Sequence, residues 1–172
     1  MAEKTVALKD TFPGSTLDPA KWATLNGAPT YLSDNRAELP CTASIPEIRS
    51  VALWDLTSSQ FSVKVTPPPL TPGVAVALAL EQNPTNHVSF LLEVGDGGDA
   101  VFIPRKVVAG NTTDVRVPYD QKAHVFWRLR EQNGYVAWET SPNGQFWELQ
   151  RHEAVGALDL SLVTVRFLCG LV

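Results

Sequence analysis

His124-Val-Phe-Trp-Arg-Leu-Arg-Glu-Gln-Asn-Gly-Tyr-Val-Ala-Trp-Glu-Thr-Ser-Pro-Asn-Gly-Gln-Phe-Trp-Glu-Leu149 is the stretch that decides the fold. Asn133-Gly134 has the residues of a two-residue type I′ turn, whose central positions both take positive φ. Ser141-Pro142-Asn143-Gly144 has turn chemistry as well, with proline pre-set for the second position. Three antiparallel strands follow from these turns. Counting outward from Asn133-Gly134 sets Leu129 opposite Trp138, Arg128 opposite Glu139 and Arg130 opposite Ala137. A four-residue loop at Ser141–Gly144 then sets Trp147 opposite Trp138 and Leu149 opposite Val136. One face carries Trp127, Leu129, Val136, Trp138, Trp147 and Leu149, and reads as core. The other carries Phe126, Arg128, Arg130, Tyr135, Glu139, Phe146 and Glu148. That second face mixes rings with hydrogen-bonding groups, as ligand sites do. Phe126, Arg128, Arg130, Tyr135 and Glu139 are its candidate ligand-binding residues.

Outward from this meander the chain stays β-rich. Its 13 prolines run from Pro13 to Pro142 and leave little room for long helices. One helical turn is expected at Leu17–Trp22, with Asp18 as N-cap and Pro19 first in the helix. Strands are expected at Thr5–Leu8, Ala28–Leu32, Ala37–Leu39, Arg49–Leu56, Gln60–Thr66, Val74–Gln82, His87–Val94, Ala100–Val107, Asp114–Val117, His124–Gln132, Tyr135–Thr140, Gln145–Gln150 and Leu160–Cys169. The proline-rich 66–73 segment reads as a crossover. In the hairpin turning at Asn83–Asn86, pairing Gln82 with His87 sets Ala75, Ala77 and Ala79 against Val94, Leu92 and Phe90. Both faces of that hairpin are apolar, so it sits centrally, covered on both sides. Many short antiparallel strands used on two faces predict an all-β, two-sheet antiparallel jelly-roll sandwich with at most one or two short helical turns.

The chain has 172 residues, enough for a single domain over 1–172, with 1–9 as an extended N-terminal arm. A net charge of −4 gives no global field for nucleic acid. The longest apolar run, Val74–Leu80, is far short of the roughly 20 residues a membrane span needs. The N-terminus lacks the apolar stretch of a signal peptide, so synthesis and release in cytoplasm are expected. Cys41 and Cys169 match no metal or redox spacing. Cys169 alternates with Val163, Val165 and Phe167 and reads by default as a small buried hydrophobe. A disulfide to Cys41 requires their strands to adjoin.

Catalytic chemistry is hard to find. Jelly-roll glucanases take their acids from one strand, as Glu-x-Asp-x-Glu or Glu-x-Asp-x-x-Glu on the concave face, and no such spacing occurs here. Glu93-Val-Gly-Asp96 has the wrong phase, and Glu139 is accounted for by Arg128 opposite it. His87, His124 and His152 lack metal-ligand spacing. Asp96 and Asp99 could face calcium, although an Asp/Gly hairpin turn needs no ion. No cofactor, metal or enzymatic activity is expected.

Two stretches carry a family resemblance. Lys9–Trp22 resembles the opening of concanavalin A-like lectin/glucanase domains, in which an Asp-x-Phe pair (here Asp10 and Phe12) precedes a Leu-Asp-x-x-x-Trp turn (here Leu17, Asp18 and Trp22). His124–Trp147 resembles their late strands, in the version found in minor tail and other structural proteins of phages infecting actinobacteria. The resemblance implies a concanavalin A-like jelly roll in a non-enzymatic virion structural protein, on a tail or capsid surface. Such a protein makes assembly contacts with other virion proteins as a homo-oligomer or multicopy array, with host-glycan adhesion as a second role. Met1–Lys9 and Pro67–Pro72 are the pieces expected to reach a partner. The alternatives are a free bacterial carbohydrate-binding module, a divergent glycoside hydrolase, and a cytoplasmic location in place of the virion.

Overall fold

The computed structural model describes residues 2–13, 15–26, 31–33 and 35–171. Its strands are β1 (Glu3–Lys4), β2 (Trp22–Leu25), β3 (Tyr31–Ser33), β4 (Arg36–Glu38), β5 (Glu47–Ser50), β6 (Trp54–Asp55), β7 (Gln60–Lys64) and β8 (Val74–Asn83). They continue as β9 (Asn86–Val94), β10 (Ala100–Val108), β11 (Asn111–Asp114), β12 (Val117–Pro118), β13 (Phe126–Gln132), β14 (Tyr135–Ser141), β15 (Glu148–Ala154) and β16 (Thr164–Leu171). An eight-stranded sheet runs β11-β10-β9-β8-β16-β5-β2, with β12 also on β10, and a four-stranded sheet runs β15-β14-β13-β7. The result is an all-β antiparallel jelly-roll sandwich, as expected. The only helix among the described residues is a 3₁₀ turn at Thr5–Ala7, so none is long and apolar enough to cross a membrane. The 65–73 segment crosses from β7 in one sheet to β8 in the other. Of the expected Ala28–Leu32 strand, residues 28–30 lie outside the described residues.

The core forms where the two inner faces meet. Trp127, Leu129, Val136 and Trp138 of the smaller sheet are fully buried against Leu78, Leu80, Val88, Phe90, Leu92 and Phe102 of the larger. Each indole N–H finds a carbonyl: Trp138 donates to Ser89 O at 2.9 Å and Trp127 to His124 O at 2.9 Å. That lets a polar atom be buried without penalty. The Asn133-Gly134 turn has φ of 55° and 79°. It produces the expected pairs Leu129–Trp138, Arg128–Glu139 and Arg130–Ala137.

The next turn departs from expectation. Ser141 Oγ accepts from the Gly144 amide, and Asn143 Oδ1 accepts from the amides of Gln145 and Phe146. These bonds satisfy the backbone locally and postpone the strand to Glu148. A bulge between Trp138 and Glu139 shifts the register again, so Arg151 pairs with Trp138 and Glu153 with Val136. Arg151 lies 4.9 Å over the Trp138 ring in the place expected for Trp147. Trp147 and Leu149 are therefore not core residues, and Leu149 is 55% exposed.

The β8–β9 hairpin also corrects the expected register. Asn83 Oδ1 accepts from the Thr85 amide and from Asn86 Nδ2, closing a two-residue turn. A bulge after Glu81 leaves Glu81 paired with His87. Ala75, Ala77 and Ala79 therefore oppose Glu93, Leu91 and Ser89 on the outward face. Val76, Leu78 and Leu80 meet Leu92, Phe90 and Val88 on the inward one.

The N-terminal segment is not a free arm. β1 pairs in parallel with β6, and Lys4 Nζ binds Asp55 at 2.7 Å. Thr5, which was expected in a strand, is fully buried on Ser59 and Gln60. Leu8 joins the core. Leu17–Trp22 is a hydrogen-bonded turn rather than a helix, with Asp18 Oδ1 accepting from the Ala20 amide. Asp10 ties this region down. Its carboxylate accepts from the Phe12 amide at 2.7 Å and from Trp22 Nε1 at 2.8 Å. Cys41 and Cys169 are disulfide-bonded, with Cα atoms 4.8 Å apart. This replaces the default reading of Cys169 as an unpaired hydrophobe. The physical reason is the parallel bridge between Thr42 and Gly170, which brings the two segments side by side.

Candidate functional site

The sandwich presents two outward sheet faces, each with a buried charge cluster. On the four-stranded sheet, the β13–β14 register brings Arg128, Arg130 and Glu139 together as expected. Arg128 Nε binds Glu139 Oε2 at 2.7 Å, and Arg130 Nη2 binds Glu139 Oε1 at 2.9 Å. Burial by itself would raise the Glu139 carboxyl, but the hydrogen bonds from Arg130 and Arg128 prevail and hold it below its ordinary value. Phe126 and Tyr135 lie at opposite ends of this face. Phe126 packs on Gly144, where an added Cβ would stand 3.3 Å from the ring. Tyr135 stacks on His152 with ring centroids 4.9 Å apart. Sequence reading missed Trp147 here, because the longer 141–147 turn turns its ring to this face. The indole lies 3.9 Å from the Arg128 guanidinium carbon.

On the eight-stranded sheet, alternation along β8 turns Ala75, Ala77 and Ala79 outward. Ser89 and Leu91 of β9 lie on one side, and Arg166, Leu168 and Gly170 of β16 on the other. Small side chains make this a shallow trough. At one end Ile45 closes over Gly170, where an added Cβ would come within 2.7 Å of Ile45 Cγ1. At the other stand charged groups that sequence reading did not single out. Arg166 binds Glu47 through Nε at 2.9 Å and Nη2 at 2.6 Å, and binds Glu81 through Nη1. The Glu47 side chain is 5% exposed and that of Glu81 is 14%. His87 sits directly across from Glu81. Its Nδ1 is buried without a hydrogen-bond partner among the described residues. Burial lowers the His87 pKa from its ordinary value, against the opposing pull of Glu81. Arg105 and Asp114, paired through two 2.9 Å hydrogen bonds, continue the charged row. The outward phase of Glu81 was readable from the alternating Ala75-Val-Ala-Leu-Ala-Leu-Glu81 pattern once the bulge is known. The meeting of β8, β16 and β5 had no local signal.

No protein-family model matches the chain, and no curated protein is similar to it in sequence. Solved structures are similar over nearly its whole length. A glycosyl hydrolase family protein from Mycobacterium fortuitum matches with TM-score 0.72 and 11% identity, over 93% of this chain and 86% of that one. The apo Crh5 transglycosylase matches with TM-score 0.67 and 16% identity, over 99% and 72%. The Bacillus licheniformis β-glucanase matches with TM-score 0.65 and 11% identity, over 93% and 82%. At these identities the likeness shows a shared concanavalin A-like jelly-roll fold. It also corrects two expectations. These neighbours are named as glycosyl hydrolase, transglycosylase and glucanase, and nothing in them indicates a phage origin. The reading as a non-enzymatic virion protein does not stand against them.

Proposed function

We propose that this protein is a carbohydrate-active jelly roll of the glycoside-hydrolase type, which engages a β-linked polysaccharide along the outward trough of its eight-stranded sheet. The observation that carries this reading is the trough itself. It has a floor of small residues on β8, ending at Glu81 and His87 on neighbouring strands. Glycosidic cleavage passes through an oxocarbenium-like transition state that needs negative charge near the anomeric carbon and a proton for the leaving oxygen. Glu81 supplies the charge, and His87 in its protonated form gives a proton to the leaving oxygen and regains one from the water that attacks the anomeric carbon. Arg166 fixes the Glu81 carboxylate in place. The Cys41–Cys169 bond fits work in an oxidising compartment, where such bonds persist.

One observation favours a second reading, as a carbohydrate-binding module. The outward positions of β9 are His87, Ser89, Leu91 and Glu93, in place of the carboxylate triplet on one strand that jelly-roll glucanases use. Reducing-end release from a panel of β-glucans, run beside affinity electrophoresis in the same polymers, separates the readings. Cleavage is expected, with Glu81→Gln and His87→Asn each lowering the rate by about 10²–10⁴-fold. Retention without cleavage selects the binding module. The absence of both retention and cleavage would overturn the carbohydrate proposal.

A further inference from the structure

We infer a second, separate glycan site on the opposite side of the sandwich, built around Arg128 and selective for a sugar that carries a carboxylate. Arg128 is unusually placed for a surface arginine. Its side chain is only 15% exposed, and its guanidinium lies on the Trp147 indole at 3.9 Å. Glu139 occupies Nε alone. Neither Nη1 nor Nη2 has an acceptor among the described residues, whereas Arg130 beside it is bound to both Glu139 and Gln132. A stacked guanidinium keeps its terminal edge open in the plane of the group. That edge matches a carboxylate through two parallel hydrogen bonds.

Charge points the same way. Lys64, Arg128 and Arg130 share this face with Glu139 as the facing acid, so it is locally positive on a chain of net charge −4. One ring completes the site. Trp147 follows a turn pinned by Ser141 and Asn143 and lies against the Arg128 guanidinium. A flat ring beside a fork of donors suits an acidic sugar, whose C–H face stacks while its carboxylate pairs. Only the sugar part of this inference rests on the carbohydrate proposal. The carboxylate part rests on Arg128.

Calorimetric titration of the full chain with a glucuronate-containing tetrasaccharide, and with the same tetrasaccharide after carboxyl reduction, tests the site. The acidic form should bind and the neutral form should bind about 10- to 100-fold more weakly, the scale of a lost charge-assisted pair. Arg128→Gln should abolish that preference. Arg128→Lys should not restore it, because an ammonium lacks the fork. Trp147→Leu, which touches no core contact, should weaken binding of the acidic form while urea unfolding confirms an intact fold. Equal binding of the two tetrasaccharides overturns the inference, as does a preference that survives in Arg128→Gln. The neutral β-glucan panel reads the trough independently, since those polymers hold no carboxylate. Glucan activity without uronate recognition therefore defeats this site and leaves the proposed function standing.

Discussion

The two outward faces carry mirror-image devices assembled over very different chain distances. On the smaller sheet one carboxylate, Glu139, holds two arginines that lie 11 and 9 residues before it on the adjacent strand. On the larger sheet one arginine, Arg166, holds two carboxylates 119 and 85 residues before it. The first cluster decorates a hairpin that the Asn133-Gly134 turn already specifies. The second fastens β5, β16 and β8 to one another, and its carboxylates are nearly enclosed. The same ion-pair chemistry therefore leaves an arginine edge for a ligand in one place, and in the other clamps three strands together while holding Glu81 at the end of the trough.

The largest effects should separate the tryptophans. Trp138→Ala empties a fully buried site and should cost about 3–5 kcal/mol in urea unfolding. Trp147→Ala removes a partly exposed ring stacked on Arg128 and should cost about 0.5–1 kcal/mol. Similar losses for the two would return Trp147 to the core and break the observed register.

The arginine clusters come next. Arg166→Met strands two enclosed carboxylates and should cost about 3–5 kcal/mol, the scale for breaking a buried pair from one side. Arg128→Gln leaves Glu139 with Arg130 and should cost about 1 kcal/mol. A larger loss at Arg128 than at Arg166 would reverse the assignment of clamp and contact.

Reducing the disulfide should cost about 2–5 kcal/mol, because Cys41–Cys169 spans 128 residues. A melting curve unchanged by reductant would show that the Thr42–Gly170 bridge holds without it.

The smallest effect is on pH dependence. Burial lowers His87 and His124 from 6.5, so the unfolded chain binds more protons at these sites. Stability should then be full above about 6.5 and begin to fall below it. Glu139 is held below 4.5 in the folded chain, so its contribution is present above that value and lost as pH drops through the folded one. Asp114, lowered chiefly by its hydrogen bond from Arg105, adds to this lower window from the larger sheet. His87→Gln should flatten the upper window, and Glu139→Gln part of the lower. A profile with no slope near 6.5 would remove the buried-histidine contribution.

Sequence legibility followed the turns. Asn-Gly admits one tight geometry, so everything within seven residues of it was placed correctly, including the Arg128–Glu139–Arg130 cluster. The turns at 83–86 and 141–147 are governed by asparagine and serine side chains that bond nearby amides. Such bonds insert or absorb a residue, and in a strand one residue exchanges the faces. That is why Trp147 and Leu149 left the core and why the alanines of β8 met Ser89, Leu91 and Glu93. The sequence by itself determined the all-β class, the crossover at 66–73, the central tryptophan pair and the short-range cluster, because each depends on alternation and local backbone geometry. Tertiary structure alone decided the Arg166 clamp, the Cys41–Cys169 bond, the docking of the N-terminal segment and the trough. Each needs strands far apart in the chain to lie side by side, and that pairing is selected by the packing of whole faces rather than by any residue's neighbours.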